Sequence, residues 1–304
     1  MSRVPYFDWL SGISGDMALT NAAIVAITIT LVPQGVWSML IVANLRTVPA
    51  IPWSVFVMTV LMVAEAQYLR GRWGPSSTAD ARRQLLRATV VSREMFGWAW
   101  LAGALSMIAL VGVWILLASF VRMPGSVLPD LSAYPPWTAA LAVGMGALIS
   151  PLCEQAGIWG YWQGTLERRC SGTAAIVVTS VVFALLPHPP AGMAFGPKVF
   201  FFFLTGLIFS TMAYMTKSIV PAIPVHGLGL LAFFALVWPR DPDRQLITAA
   251  GTDPWFWIHV AQVVVFATLS VWAFSRLANA QTVVVNPRAT NLDESPTAFA
   301  PNTE

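Results

Sequence analysis

Residues 137–165 read WTAALAVGMGALISPLCEQAGIWGYWQGT, an apolar run that carries a single acidic residue, Glu154. Crossing the ~30 Å hydrocarbon core of a bilayer takes about 20 helical residues. The run therefore reads as a membrane helix, and its carboxyl needs a physical reason to be there. A charge at the bilayer centre costs about 2.5–3.5 kcal/mol on insertion scales. Outward from this stretch lie seven further runs of the same kind, at 17–33, 50–69, 96–120, 172–188, 197–216, 218–238 and 254–277. The segment VWSMLIVANLR (36–46) is apolar but short, and reads as interfacial or re-entrant, with the first run ending at Pro33. The expected fold is all-α: a polytopic membrane protein of about eight transmembrane helices.

Composition leads to the same class. Of 304 residues, 57% are hydrophobic and 10% charged, where a soluble domain carries about 25% charged residues. Mean hydropathy is +0.67. Seventeen Lys and Arg with 14 Asp and Glu cannot cover a water-soluble globule of this size. A cytosolic enzyme, a nucleic-acid binder and a disordered protein are excluded. The first residues, MSRVPYFDWLSGISGD, lack an apolar core followed by a small-residue cleavage site, so no cleaved signal peptide is expected. Cys153 and Cys170 lie in or beside apolar runs and form no disulfide framework.

The cations sit between the apolar runs. Arg70, Arg72, Arg82, Arg83, Arg87 and Arg93 fall in the second connection, Arg168 and Arg169 in the fourth, and Lys217 in the sixth. The seventh connection, RDPDRQLITAAGTD, is net acidic. Positive loops stay on the cytoplasmic side, so a multi-pass plasma-membrane protein with both termini cytoplasmic is expected. Residues 78–93 suit an amphipathic surface helix, Leu85, Leu86, Val90 and Val91 opposing Arg82, Arg83 and Arg87, or simply a solvated basic loop. Three regions follow: N-terminal helices and the Arg-rich loop (1–135), core helices (136–278) and a polar tail expected to be disordered (279–304).

Inside the eight runs the acidic residues and histidines are Glu65, Glu154, His188, His226 and His259. Glu65 is near Arg70 at a helix end, and His259 sits in WFWIHV beside an aromatic belt; both read as structural. The other three have no obvious local partner. His188 ends VVFALLPH, where Pro187, Pro189 and Pro190 break the helix, and His226 lies in PAIPVHGLGLLAFF, read as irregular backbone at membrane depth. One carboxyl and two imidazoles on three helices imply that they partner one another. Such a set can hold a divalent metal, activate water as a general base, relay protons, or simply tie helices together. Depth along the helices, at ~1.5 Å per residue, puts Glu154 about 21 Å from Arg168, His226 about 14 Å from Lys217 and His188 about 28 Å from Arg169, the last out of step.

With these residues in hand, about 140–240 resembles the CAAX prenyl protease and bacteriocin-processing (CPBP, Abi) family of intramembrane proteases. That family pairs a Glu-Glu-x-x-x-Arg motif with Phe-x-x-x-His on the next helix and His-x-x-x-Asn two helices on. Here stand EQAGIW from Glu154, FALLPH ending at His188, and HGLGL from His226. The resemblance implies a membrane-embedded endopeptidase in which Glu154 and His188 activate a water and His226 stabilises the oxyanion. It also implies a peptide or membrane-protein substrate, with a divalent metal such as zinc, if bound, held by Glu154, His188 and His226.

Three positions depart from the pattern: Gln155 for the second Glu, Trp159 for the Arg and Leu230 for the Asn. The Phe also lies one residue further from its His than usual, with Ala184 at the expected spacing. Losing both members of an ion pair leaves no orphan charge, so Gln155 with Trp159 reads as a coherent exchange. Leu230 removes an oxyanion donor, typically worth ~10²–10³ in rate; Gln155 offers an amide in its place. These departures favour the alternative of a catalytically silent relative acting as a membrane scaffold or immunity-type binding protein. A coupled transporter is a further reading, but it expects internal repeats, which the sequence lacks.

Overall fold

The computed structural model describes residues 15–122, 135–188 and 194–285. Residues 1–14, where no cleaved signal peptide is expected, and 286–304, most of the tail expected to be disordered, lie outside the described residues.

Eight apolar helices stand out among the described residues: α1 Gly15–Thr47, α2 Trp53–Leu69, α3 Arg93–Phe120, α4 Pro136–Leu166, α5 Gly172–Leu185, α6 Phe195–Thr216, α7 Ala222–Ala232 and α8 Pro254–Val285. No strand occurs among the described residues, and the all-α polytopic membrane fold stands. Among these residues six helices have the length and hydropathy to cross a bilayer, counting α7 with its extension to Asp241. The other two, α2 with 17 residues and α5 with 14, are shorter.

Several local expectations change. Residues 36–46 are not a separate re-entrant piece: α1 is continuous through Pro33. Proline there removes one backbone donor, toward the Ile29 carbonyl, and the turns on either side still make their bonds. The second connection forms only a short helix, Ala79–Leu85. Arg82 and Arg87, expected on its solvated face, are buried. The Arg82 guanidinium donates to the carbonyls of Tyr68, Trp73 and Pro75, while Val90 is 90% exposed. The carbonyls of the turn between Tyr68 and Thr78 converge on the guanidinium and supply the acceptors that its burial requires. The irregular backbone expected around His226 is also absent. Pro221 caps α7 and Pro224 falls in its first turn, where backbone N–H groups have no helical acceptor and proline is tolerated. Helix α8 continues to Val285, past the boundary at 278.

Small residues bring the helices together. Ser106 and Ser270 share a 2.6 Å hydrogen bond between α3 and α8, and Gln262 of α8 donates to the Ile108 carbonyl of α3. A Cβ on Gly206 of α6 would lie 2.8 Å from Ser180 Cα of α5, so the Gly206/Ser210 face is a close-packing surface. On α4, a Cβ at Gly157 would collide with Thr30 Oγ1 and meet the Ala26 carbonyl at 2.5 Å. Helix α1 can lie this close because position 157 has no side chain.

One end of the bundle is tied by charge. Arg87, in a left-handed conformation at φ 52°, donates through both guanidinium NH₂ groups to Glu167, at 3.0 and 2.6 Å. Lys217 Nζ reaches the same carboxylate at 2.8 Å, and Gln163 donates to it at 2.9 Å. The second, fourth and sixth connections therefore meet at the same end.

Candidate active site

Helix α4 positions the carboxyl. After Glu154 its winding opens from α to π over Gln155–Trp162, a local widening frequent at functional sites. Glu154 Oε1 accepts hydrogen bonds from Ser150 Oγ, one turn earlier, at 2.5 Å and from Gln34 Nε2 of α1 at 3.1 Å. The other oxygen, Oε2, stands 3.8 Å from His226 Nε2. That gap is too long for a hydrogen bond and short enough for one water to touch both atoms.

His226 is buried. Its ring stacks on Phe209 of α6, centroids 4.6 Å apart, and meets the edge of Trp159 at 6.0 Å. Gly227 lets α7 approach α4, since a Cβ there would sit 3.0 Å from the Ala147 carbonyl. Among the described residues His226 Nδ1 has no hydrogen-bond partner.

His188 approaches from the end of α5. Leu186 is extended at ψ 156°, as expected for a residue before proline. The chain turns back, and His188 Nε2 bonds the Phe183 carbonyl at 2.7 Å. A carbonyl only accepts, so Nε2 carries the proton. The ring stacks on Phe202 at 4.0 Å. Folding back returns the ring to the level of Phe183, where it lines the same cavity as Glu154 and His226.

Glu154, His188 and His226 line one cavity of about 120 Å³, walled by Phe183, Phe201, Phe209, Leu230 and Trp238. It has room for several waters. The three do not gather as a ligand set. Among the described residues no group of three or more His, Cys, Asp and Glu side chains is placed to hold a metal ion. Glu154 and His226 offer two donors, and His188 turns its protonated nitrogen to a backbone carbonyl.

The divergent positions separate. Leu230 is on the cavity wall. Gln155 is not: it is fully buried elsewhere, with neither amide atom hydrogen-bonded among the described residues, and it does not replace the missing Asn donor. Trp159 fills the arginine position with a ring packed on Phe183 and Phe209, its Nε1 donating to Ser210 Oγ at 3.1 Å. Glu65 meets the Cys153 thiol at 3.8 Å, and His259 pairs with Gln262 and lines a different cavity. Sequence reasoning missed Gln34. An inventory of ionisable groups passes over an amide, and the only signal was a polar residue straight after Pro33 within a long apolar stretch.

A polytopic helical membrane protein with an acid and two imidazoles on one buried cavity is the class that fold and site define. Residues 136–232, the segment that holds Glu154, His188 and His226, match the family described as type II CAAX prenyl endopeptidase Rce1-like. No curated protein and no solved structure matches the chain.

Proposed function

We propose that the protein is an intramembrane endopeptidase of the CAAX-processing kind, hydrolysing a peptide bond with a water held between Glu154 and His226. The observation that carries this reading is the 3.8 Å approach of Glu154 Oε2 to His226 Nε2 on the wall of a cavity at membrane depth. The water oxygen attacks the scissile carbonyl carbon while its proton passes to Glu154 Oε2, with His226 holding the second contact to the water. The oxyanion then needs a donor. Leu230 has none, and the His188 Nε2–H exchanges the Phe183 carbonyl for the developing charge. As the C–N bond breaks, Glu154 returns the proton to the departing amine. Aromatic walls exclude bulk water and strengthen each of these contacts.

The family's name suggests the substrate class: a prenylated protein C-terminus, presented from the membrane. The cationic connections joined by Arg87, Glu167 and Lys217 favour the cytoplasm as the side on which that end of the bundle lies, with the plasma membrane as its place.

The test is cleavage of a farnesylated CAAX reporter peptide by the full-length protein in detergent micelles, read by mass spectrometry. Cleavage by the wild type and its loss in Glu154→Gln are expected; undiminished cleavage by Glu154→Gln overturns the reading. The second reading, a silent scaffold, draws on Leu230 at the donor position. It is the outcome if the wild type leaves the reporter intact yet retains a membrane partner in pull-downs that also survives Glu154→Gln.

A further inference from the structure

A carboxylate acting as base needs one oxygen held still and the other free. In this site the two oxygens of Glu154 are not equivalent. Oε1 accepts from Ser150 and from Gln34, whereas Oε2 makes no direct hydrogen bond among the described residues and faces His226. Gln34 Nε2 also contacts Ser150 Oγ at 3.3 Å, so the three side chains form a closed triangle that fixes the carboxyl plane.

The packing of α1 on α4 sets this triangle. Thr30 and Ala26 fit against Gly157, Gln34 meets Glu154 one helical turn along, and Trp37 Nε1 lies 3.6 Å from a Cβ on Gly146. Residues 30, 34 and 37 share one face of α1 at three- and four-residue spacing, and they meet positions 157, 154 and 146 of α4 in that order, so the two helices run antiparallel. Gln34 is far outside residues 136–232 that match the family.

We infer that Gln34 is a positioning residue for Glu154: its amide, with Ser150, occupies Oε1 and leaves Oε2 as the oxygen that takes the proton from water. This rests on the hydrolytic reading above. Gln34 is not among the residues that line the cavity and acts only through the carboxyl. The first helix is then part of the working site rather than a membrane anchor, and it supplies order where the family's Glu and Arg are absent.

The experiment compares kcat and KM of full-length wild type, Gln34→Met, Gln34→Asn and Glu154→Gln on the farnesylated reporter peptide, with thermal midpoints measured in the same micelles. Met keeps the volume and removes the donor; Asn keeps the amide but is one methylene short. A hydrogen bond to a charged group is worth about 10- to 100-fold, so both Gln34 variants should lose about that factor in kcat with KM and thermal midpoint little changed. An unchanged kcat in a folded Gln34→Met or Gln34→Asn, while Glu154→Gln is inactive, overturns the positioning role alone. Parallel changes in kcat, KM and midpoint in both Gln34 variants also overturn it, since they mark a purely structural contact. Cleavage that persists in Glu154→Gln, or is absent in the wild type, overturns the hydrolytic reading and this inference with it.

Discussion

Arg87 and Glu167, eighty positions apart, form a two-pronged ion pair whose side chains are 9% and 8% exposed. Removing one partner of a buried pair leaves the other charge desolvated, at a cost of about 3–5 kcal/mol. Glu167→Ala should therefore lower the unfolding midpoint in micelles sharply. Lys217→Ala should cost at most about 1 kcal/mol, because that ammonium is 53% exposed. Equal effects of the two substitutions would show that the pair is not the clamp.

The same carboxyl makes stability depend on pH. Burial opposes its ionisation, but the hydrogen bonds from Arg87 and Lys217, the Arg87 charge and the Gln163 amide outweigh that and hold Glu167 below the usual carboxylate range. Its contribution is fully present above the unfolded value of about 4.3 and is lost as pH falls through the lowered folded value. Thermal midpoints measured from pH 7 down to 3 should show an acid-side decline that is smaller in Glu167→Gln.

Gly157→Ala tests the contact between α1 and α4. The added methyl would strike both Thr30 Oγ1 and the Ala26 carbonyl. Overpacking of this kind costs about 1–3 kcal/mol, and moving α1 also pulls Gln34 from Glu154. Loss of both stability and reporter cleavage is expected. Thr30→Ala should not rescue it, because the Ala26 carbonyl is backbone and stays in place.

Leu230→Asn restores an amide at the cavity wall. As a second oxyanion donor beside the His188 Nε2–H, it should raise kcat on the reporter peptide by about tenfold or more, within the range such donors supply. A folded Leu230→Asn protein with unchanged or lower kcat would mean that the oxyanion lies away from this wall.

A metal chelator should leave cleavage unchanged, since the acid and the two imidazoles do not converge as three ligands. Inhibition by 1,10-phenanthroline that added zinc reverses would show that His188 swings from the Phe183 carbonyl to join Glu154 and His226.

Much of the architecture was legible from hydropathy because a bilayer leaves few choices. Backbone groups must bond within each segment, so apolar runs become helices almost wherever they are long enough. The run 137–165 corresponds to α4 and 197–216 to α6, and the end of α5 at Leu185 follows from Pro187. Pro33 misled because a single missing donor does not end a helix otherwise embedded in lipid and packed against α4. Arg82 and Arg87 misled because their sequence neighbours suggest a solvated face, whereas Arg82 is held by carbonyls of the folded turn before it and Arg87 by Glu167 at the end of α4.

Sequence alone determined the solvent of this protein, its helical class and the three titratable residues that need a partner, since each follows from local composition and the energetic penalty of charge in hydrocarbon. Tertiary structure alone decided who partners whom: His226 beside Glu154, His188 turned back on Phe183, Gln155 off the cavity and Gln34 on the carboxyl. Those choices depend on helix register and on close approaches at Gly157 and Gly227, which involve residues more than a hundred positions apart in the first case and about eighty in the second. No local pattern encodes a distance between helices; packing does.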